Sequence, residues 1–113
     1  MLIANELEQF TGTEKYYKHW LGFKYTDGVN YLVENAKCYW LLDVIGSYQH
    51  KHNNKKFQIW ELKVNTNKTG VVIMKEDTNT PILVKQKLDH TDFPLNEIKL
   101  YLIDGVLLLP SEY

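Results

Sequence analysis

The chain has little in it that would fix a chemistry. It holds one cysteine, Cys38, in 113 residues, which excludes an intramolecular disulfide framework and fits a reducing compartment. Prolines and glycines are few, and there is no linker, low-complexity tract or internal repeat to divide the sequence. No apolar stretch approaches the roughly 18 residues that a membrane-spanning helix needs. Residues 1–10 carry Asn5, Glu6, Glu8 and Gln9, so the basic start and apolar run of a signal peptide are missing. These absences point to a cytoplasmic protein with no membrane partner. Charge of either sign is not in excess: the net value is −1. Net charge therefore does not support nucleic acid or acidic lipid as a partner.

What is present is globular. A hydrophobic share of 44% with 24% charged residues suits one domain spanning residues 1–113, large enough to bury about two-thirds of its unfolded surface. Eight tyrosines dominate the aromatics. Each brings apolar area plus a hydroxyl that needs a partner, which serves either a thin core or a contact surface.

The periodicity is helical first and strand-like later. Leu2, Ile3, Leu7 and Phe10 predict a short opening helix, and an aromatic-rich stretch over 16–21 predicts a short strand. Thr26 or Asp27 then caps a helix that buries Val29, Leu32 and Val33, and 35–37 interrupts it. A second helix carries Trp40, Val44 and Tyr48 on one stripe. Gly46 lies inside it at a cost of about 1 kcal/mol relative to Ala, which implies close packing against another backbone. Residues 50–56 read as a polar, basic loop.

After Lys56 the period becomes two. Strands are expected over 57–64, 70–75 and 82–88, the last grouping Ile82, Val84 and Leu88. Residues 91–94 break the sheet. Asp104-Gly105 between two apolar runs fits a type I′ hairpin, with a helix over 95–102 as the alternative. The expected fold is α+β: N-terminal helices packed on one face of a four- to five-stranded antiparallel meander with a C-terminal hairpin.

The segments Phe10-Thr11-Gly12-Thr13-Glu14, Thr26-Asp27-Gly28, Tyr39-Trp40-Leu41-Leu42-Asp43, Phe57-Gln58-Ile59-Trp60, Thr91-Asp92-Phe93-Pro94-Leu95 and Leu109-Pro110-Ser111-Glu112-Tyr113 together resemble an uncharacterised bacterial family. It is a domain of unknown function associated with cyanobacteria, other bacteria and mobile elements. The resemblance spans nearly the whole chain, implies one complete domain and carries no assigned activity or functional residue.

Three clusters are candidates for chemistry. His50 and His52 could ligate a transition metal if they lay on a strand, or one could serve haem iron, as could His19 or His90; a solvated basic loop explains the same residues. Asp89, His90 and Asp92 could hold a divalent ion or form an acid–base pair for hydrolysis. Strand geometry, however, would send Asp89 and His90 to opposite faces, and Asp92 suits a turn before Phe93-Pro94. Tyr16, Tyr17 and Trp20, interleaved with Lys15, Lys18, His19 and Lys24, form an aromatic and basic surface of the kind single strands use, or simply half-buried rings with solvated lysines. Cys38 opens an apolar helix, where a buried, inert thiol is the default. There is no nucleophile elbow and no phosphate-cradling loop. Tyr113 either caps the core or belongs to a self-association surface.

The leading expectation is a non-enzymatic binding module without cofactor or metal, an accessory or inhibitor protein of a mobile element. It would act on another protein or on itself as a homodimer, through Tyr16, Tyr17, Trp20, His50, His52, His90, Asp92 and Tyr113. The alternatives are a pocket for a small ligand, metal or haem, and a metal-dependent hydrolase using Asp89, His90 and Asp92.

Overall fold

Capping chemistry sets where the first helix begins and stops. In the computed structural model, which describes residues 7–12, 15–52 and 55–113, Thr26 Oγ1 accepts the Val29 amide at 3.2 Å and opens helix α1 (Asp27–Ala36). Lys37 closes it in the left-handed conformation at φ 53°. Before α1 come two short strands, β1 (Tyr16–Lys18) and β2 (Lys24–Thr26). The helix expected over 2–10 lies largely outside the described residues.

Helix α2 (Tyr39–Ser47) buries Leu41, Leu42 and Ile45. A Cβ on Gly46 would stand 2.6 Å from the Leu21 side chain and 3.1 Å from Phe23. The close approach expected there is real, but the neighbours are side chains and not backbone. Gln49–His52 forms a short helix, α3, where the sequence suggested loop. Strands β3 (Phe57–Val64), β4 (Gly70–Lys75), β5 (Val84–Leu88), β6 (Glu97–Ile103) and β7 (Val106–Leu108) follow, then a 3-10 turn over Pro110–Glu112. Ile82 is left out of β5 and is 49% exposed, so it does not share a buried face with Val84. Asp104 and Gly105 take φ of 49° and 80°, the positive values a type I′ turn requires. With β6 a strand, the helical alternative for 95–102 falls.

The α+β class holds, but the sheet is larger than a meander. It has seven strands in the order β1-β2-β7-β6-β3-β4-β5. All neighbours are antiparallel except β2 and β7, which run parallel through Lys24↔Val106 and Tyr25↔Leu107. Three-residue β2 carries no alternation long enough to read as a strand, and parallel pairing between residues 82 apart leaves no local trace.

Register sorts the side chains into two faces, because paired residues point the same way. One face carries Gln58, Trp60 and Leu62 beside Leu102, Leu100 and Ile98 of β6 and Val72 and Met74 of β4. Leu41 and Ile45 of α2 close over it, and this is the core. Gln58, 1% exposed, is fully engaged there: Trp60 Nε1 donates to its Oε1 at 2.9 Å. Its amide pairs reciprocally with Gln49 and reaches the carbonyls of His52 and Lys55. The other face has no helix on it among the described residues.

Thr26 also donates from Oγ1 to Glu112 Oε1 at 2.7 Å, and the same oxygen accepts the Leu109 amide at 3.0 Å. One hydroxyl thus caps α1 and ties down the chain end. Thr26→Val, which keeps the shape and removes both bonds, is expected to cost about 2 kcal/mol in urea denaturation; an unchanged midpoint would contradict this role.

Candidate functional site

The most exposed large aromatic in the interior of the chain is also one of the best held. Trp20 sits in the β1–β2 connection with 77% of its surface exposed. Its indole Nε1 donates to Asp43 Oδ1 at 3.1 Å, and its ring lies 5.8 Å from that of His19. His19 is itself fixed. Its Nδ1 accepts the Leu21 amide at 3.0 Å, which leaves the proton on Nε2 to be donated to Asp43 at 2.9 Å. It also stacks on Phe23 at 4.6 Å. With both nitrogens occupied and 7% of its surface exposed, His19 has none left for haem iron or proton transfer.

Around this anchor the rings continue. Asp43 lies one helical turn from Tyr39, which is 47% exposed. Tyr39 neighbours Tyr25 and Tyr17, which stack at 5.4 Å. The Tyr25 hydroxyl is pushed above its ordinary value by burial, then by Tyr39, Tyr17 and Glu34. Tyr39 shifts the same way through desolvation, Glu34 and Tyr17. Both hydroxyls therefore keep their protons at neutral pH. Tyr16, 58% exposed, stands on the outermost strand. The structure thus joins Trp20 to His19 and Asp43, and Tyr17 to Tyr25 and Tyr39, while Tyr16, next to Tyr17 on β1, points to the opposite face of the sheet. The only trace of Asp43 in the sequence is a carboxylate on an otherwise apolar helix.

The remaining candidates scatter. His50 and His52 sit on α3, not on a strand, so a spacing of two turns them to different sides. His50 Nδ1 donates to the Ser47 carbonyl at 2.9 Å. His90 and Asp92 do meet, at 3.1 Å, but their side chains are 67% and 87% exposed, and Asp89 is an exposed residue just past the end of β5. The turn expected of Asp92 is made instead by Thr91, whose Oγ1 accepts the Phe93 amide at 3.2 Å. His90 and Asp92 border an open groove of about 570 Å³ that also touches Trp40 and Phe93. Among the described residues no group of three His, Cys, Asp or Glu side chains is placed to hold a metal ion. Tyr113 does not cap the core; it is 75% exposed and lies edge-on to Phe57 and Tyr101.

Cys38 is fully buried at the start of α2. Burial pushes its thiol up to about 12, outweighing the lowering by a backbone hydrogen bond. A raised thiol value means the folded state holds the proton longer. Its contribution to stability is therefore complete below the ordinary value of 9.0 and is lost as pH climbs from there to about 12. At pH 8 Cys38 is expected to resist iodoacetamide until urea unfolds the chain; rapid labelling of the native protein would refute this. Asp92→Ala is expected to change stability by less than about 0.5 kcal/mol, measured in the same titration; a larger loss would make the His90–Asp92 pair structural.

No helix among the described residues is long and apolar enough to cross a membrane. No curated protein and no solved structure matches the chain. The model of one protein family, described as Family of unknown function (DUF6876), matches residues 1–113. The chain belongs to that family, for which no activity is assigned.

Proposed function

We propose that this protein is a non-enzymatic binding module that docks a protein partner on the aromatic edge around β1. The observation that supports the reading is Trp20: an indole 77% exposed, yet fixed in place through Asp43. Exposed aromatics that are already ordered bind at little entropic cost, and Trp and Tyr are the residues that most often anchor interfaces. Tyr39, one helical turn from Asp43, supplies further exposed area, and Tyr16 stands exposed on β1 itself. The strand they border is the end of the sheet, so its outward backbone groups are open to a partner strand among the described residues. A bacterial cytoplasm and an accessory or inhibitory role on a mobile element belong to the same proposal; they rest on the composition and on the resemblance of the sequence segments.

A photo-crosslinking amino acid in place of Tyr16, expressed in the native host, is expected to trap a discrete protein adduct. The same residue at Lys87, on the opposite edge strand, should trap none. Trp20→Ala should abolish the adduct while leaving the circular dichroism spectrum unchanged. An adduct of twice the chain mass would identify a second copy as the partner. No discrete adduct, or one indifferent to Trp20→Ala, would sink the proposal.

A further inference from the structure

The net charge of −1 conceals a segregation that becomes visible only once the strands are in register. Consider the face of the sheet opposite the helices. Lys18 of β1 pairs with Lys24 of β2, and Lys24 with Val106 of β7. On the other flank Lys63 and Lys75 belong to this face, together with Lys85 and Lys87 of β5. Lys99 of β6 pairs with Glu61.

Seven of the 13 basic residues in the chain therefore stand on this one face. Among the paired strand residues of this face the acids are Glu61 and Glu97. On these strands seven lysines against two glutamates give the face +5, while the whole chain carries −1. Glu61 is already neutralised, lying 3.7 Å from Lys63 and 3.9 Å from Lys75. Five of the seven lysines are exposed, with Lys75 and Lys99 half-buried.

Between the two lysine flanks lies an aromatic centre. Phe57, Tyr101 and Tyr113 form a three-ring cluster with centroids 5.4 to 5.9 Å apart. Phe57 and Tyr101 reach it from β3 and β6, the middle of the sheet. Tyr113 comes over from the chain end and is 75% exposed. A core residue would not leave a ring so open, and an electrostatic surface alone has no use for one.

We propose that this open face binds single-stranded nucleic acid. The lysine flanks track the phosphates, and the central rings stack on bases. The seven strands span about 29 Å from edge to edge, wide enough for several nucleotides of an extended strand. The combination of cations along the backbone path with stacking platforms at its centre is what sequence-tolerant single-strand binding requires. Lysine, a flexible point charge, suits phosphate tracking better than base readout. The lysines set a path from Lys18 and Lys24 across Tyr101 to Lys75 and Lys85. Tyr16 also lies on this face by register, alternating with Lys18, whereas Trp20 lies in the β1–β2 connection and the binding path does not use it.

The test is fluorescence anisotropy of the full chain with labelled 16-nucleotide oligo-uridylate and oligo-thymidylate over a salt series. Both probes carry the chemistry, and comparing them distinguishes RNA from DNA. Binding is expected at low salt, weakening with a log–log slope near about −3, as about four neutralised phosphates would give. Lys24→Gln with Lys85→Gln, one from each flank, should weaken binding at least tenfold and flatten the slope by about 1.4. Tyr113→Ala should lose about tenfold with the slope unchanged, and Tyr113→Phe should restore it. Lys51→Gln, on α3, should have no effect.

The proposal is overturned if neither probe binds at low salt, or if the two-flank variant binds like the parent. It is equally overturned if polyglutamate competes as well per charge while Tyr113→Ala is silent. That last result would make the face a docking surface for acidic protein.

Discussion

The amide of Lys24 donates to the carbonyl of Gly105 at 2.9 Å, and the rest of the architecture depends on the parallel pairing that bond begins. Through it β2 joins β7, and a hairpin from the start of the chain becomes the flank of a sheet made at its end. Some eighty residues separate the partners, so the loop entropy of closing that contact is considerable. It is offset where the segments meet: Leu107 and Leu109 of the C-terminal hairpin join Val29 and Leu32 of α1 in one buried cluster. Thr26 completes the junction, bonded both to the first turn of α1 and to Glu112. Gly28 is glycine because a Cβ there would fall 2.6 Å from the Glu112 carboxylate.

The two faces of the sheet follow from that register, and a slip of one residue would exchange them. The covered face is mainly apolar, and its largest polar network is built on Gln58. Gln49 and the His52 carbonyl come from α3, the Trp60 indole from within β3, and the Lys55 carbonyl from the connection between them. No buried side-chain polar atom among the described residues lacks a partner. Such a network specifies how the short helix docks, since apolar contact alone would tolerate several arrangements. Across the sheet, Tyr48 reaches Gln86 at 2.8 Å and fixes α2 over β4 and β5.

Much of this was legible in the residues. Asp104-Gly105 announces its turn because few residue pairs accept positive φ twice in succession. Thr26 announces a helix start because its hydroxyl can replace a missing carbonyl. The alternation from Phe57 to Val64 marks a strand whichever partners it finds. Other features left no local trace. Lys24–Thr26 is too short to show a period. Gln49–His52 has no apolar residue to suggest a helix and is held by what Gln49 meets on Gln58. The pairing of His19 with Asp43 spans 24 residues, and neither residue looks unusual where it stands in the sequence.

The clearest division lies in the charges. The sequence by itself determined how many lysines and carboxylates the chain carries, which segments alternate, and where turns and helix starts fall. These depend on neighbours within a few residues, where backbone sterics and capping bonds act. Only the tertiary structure decided that Lys18, Lys24, Lys75 and Lys85, from four different strands, share one face. Which face a strand side chain takes depends on pairing register, and register is settled by burial of the opposite face across the whole sheet.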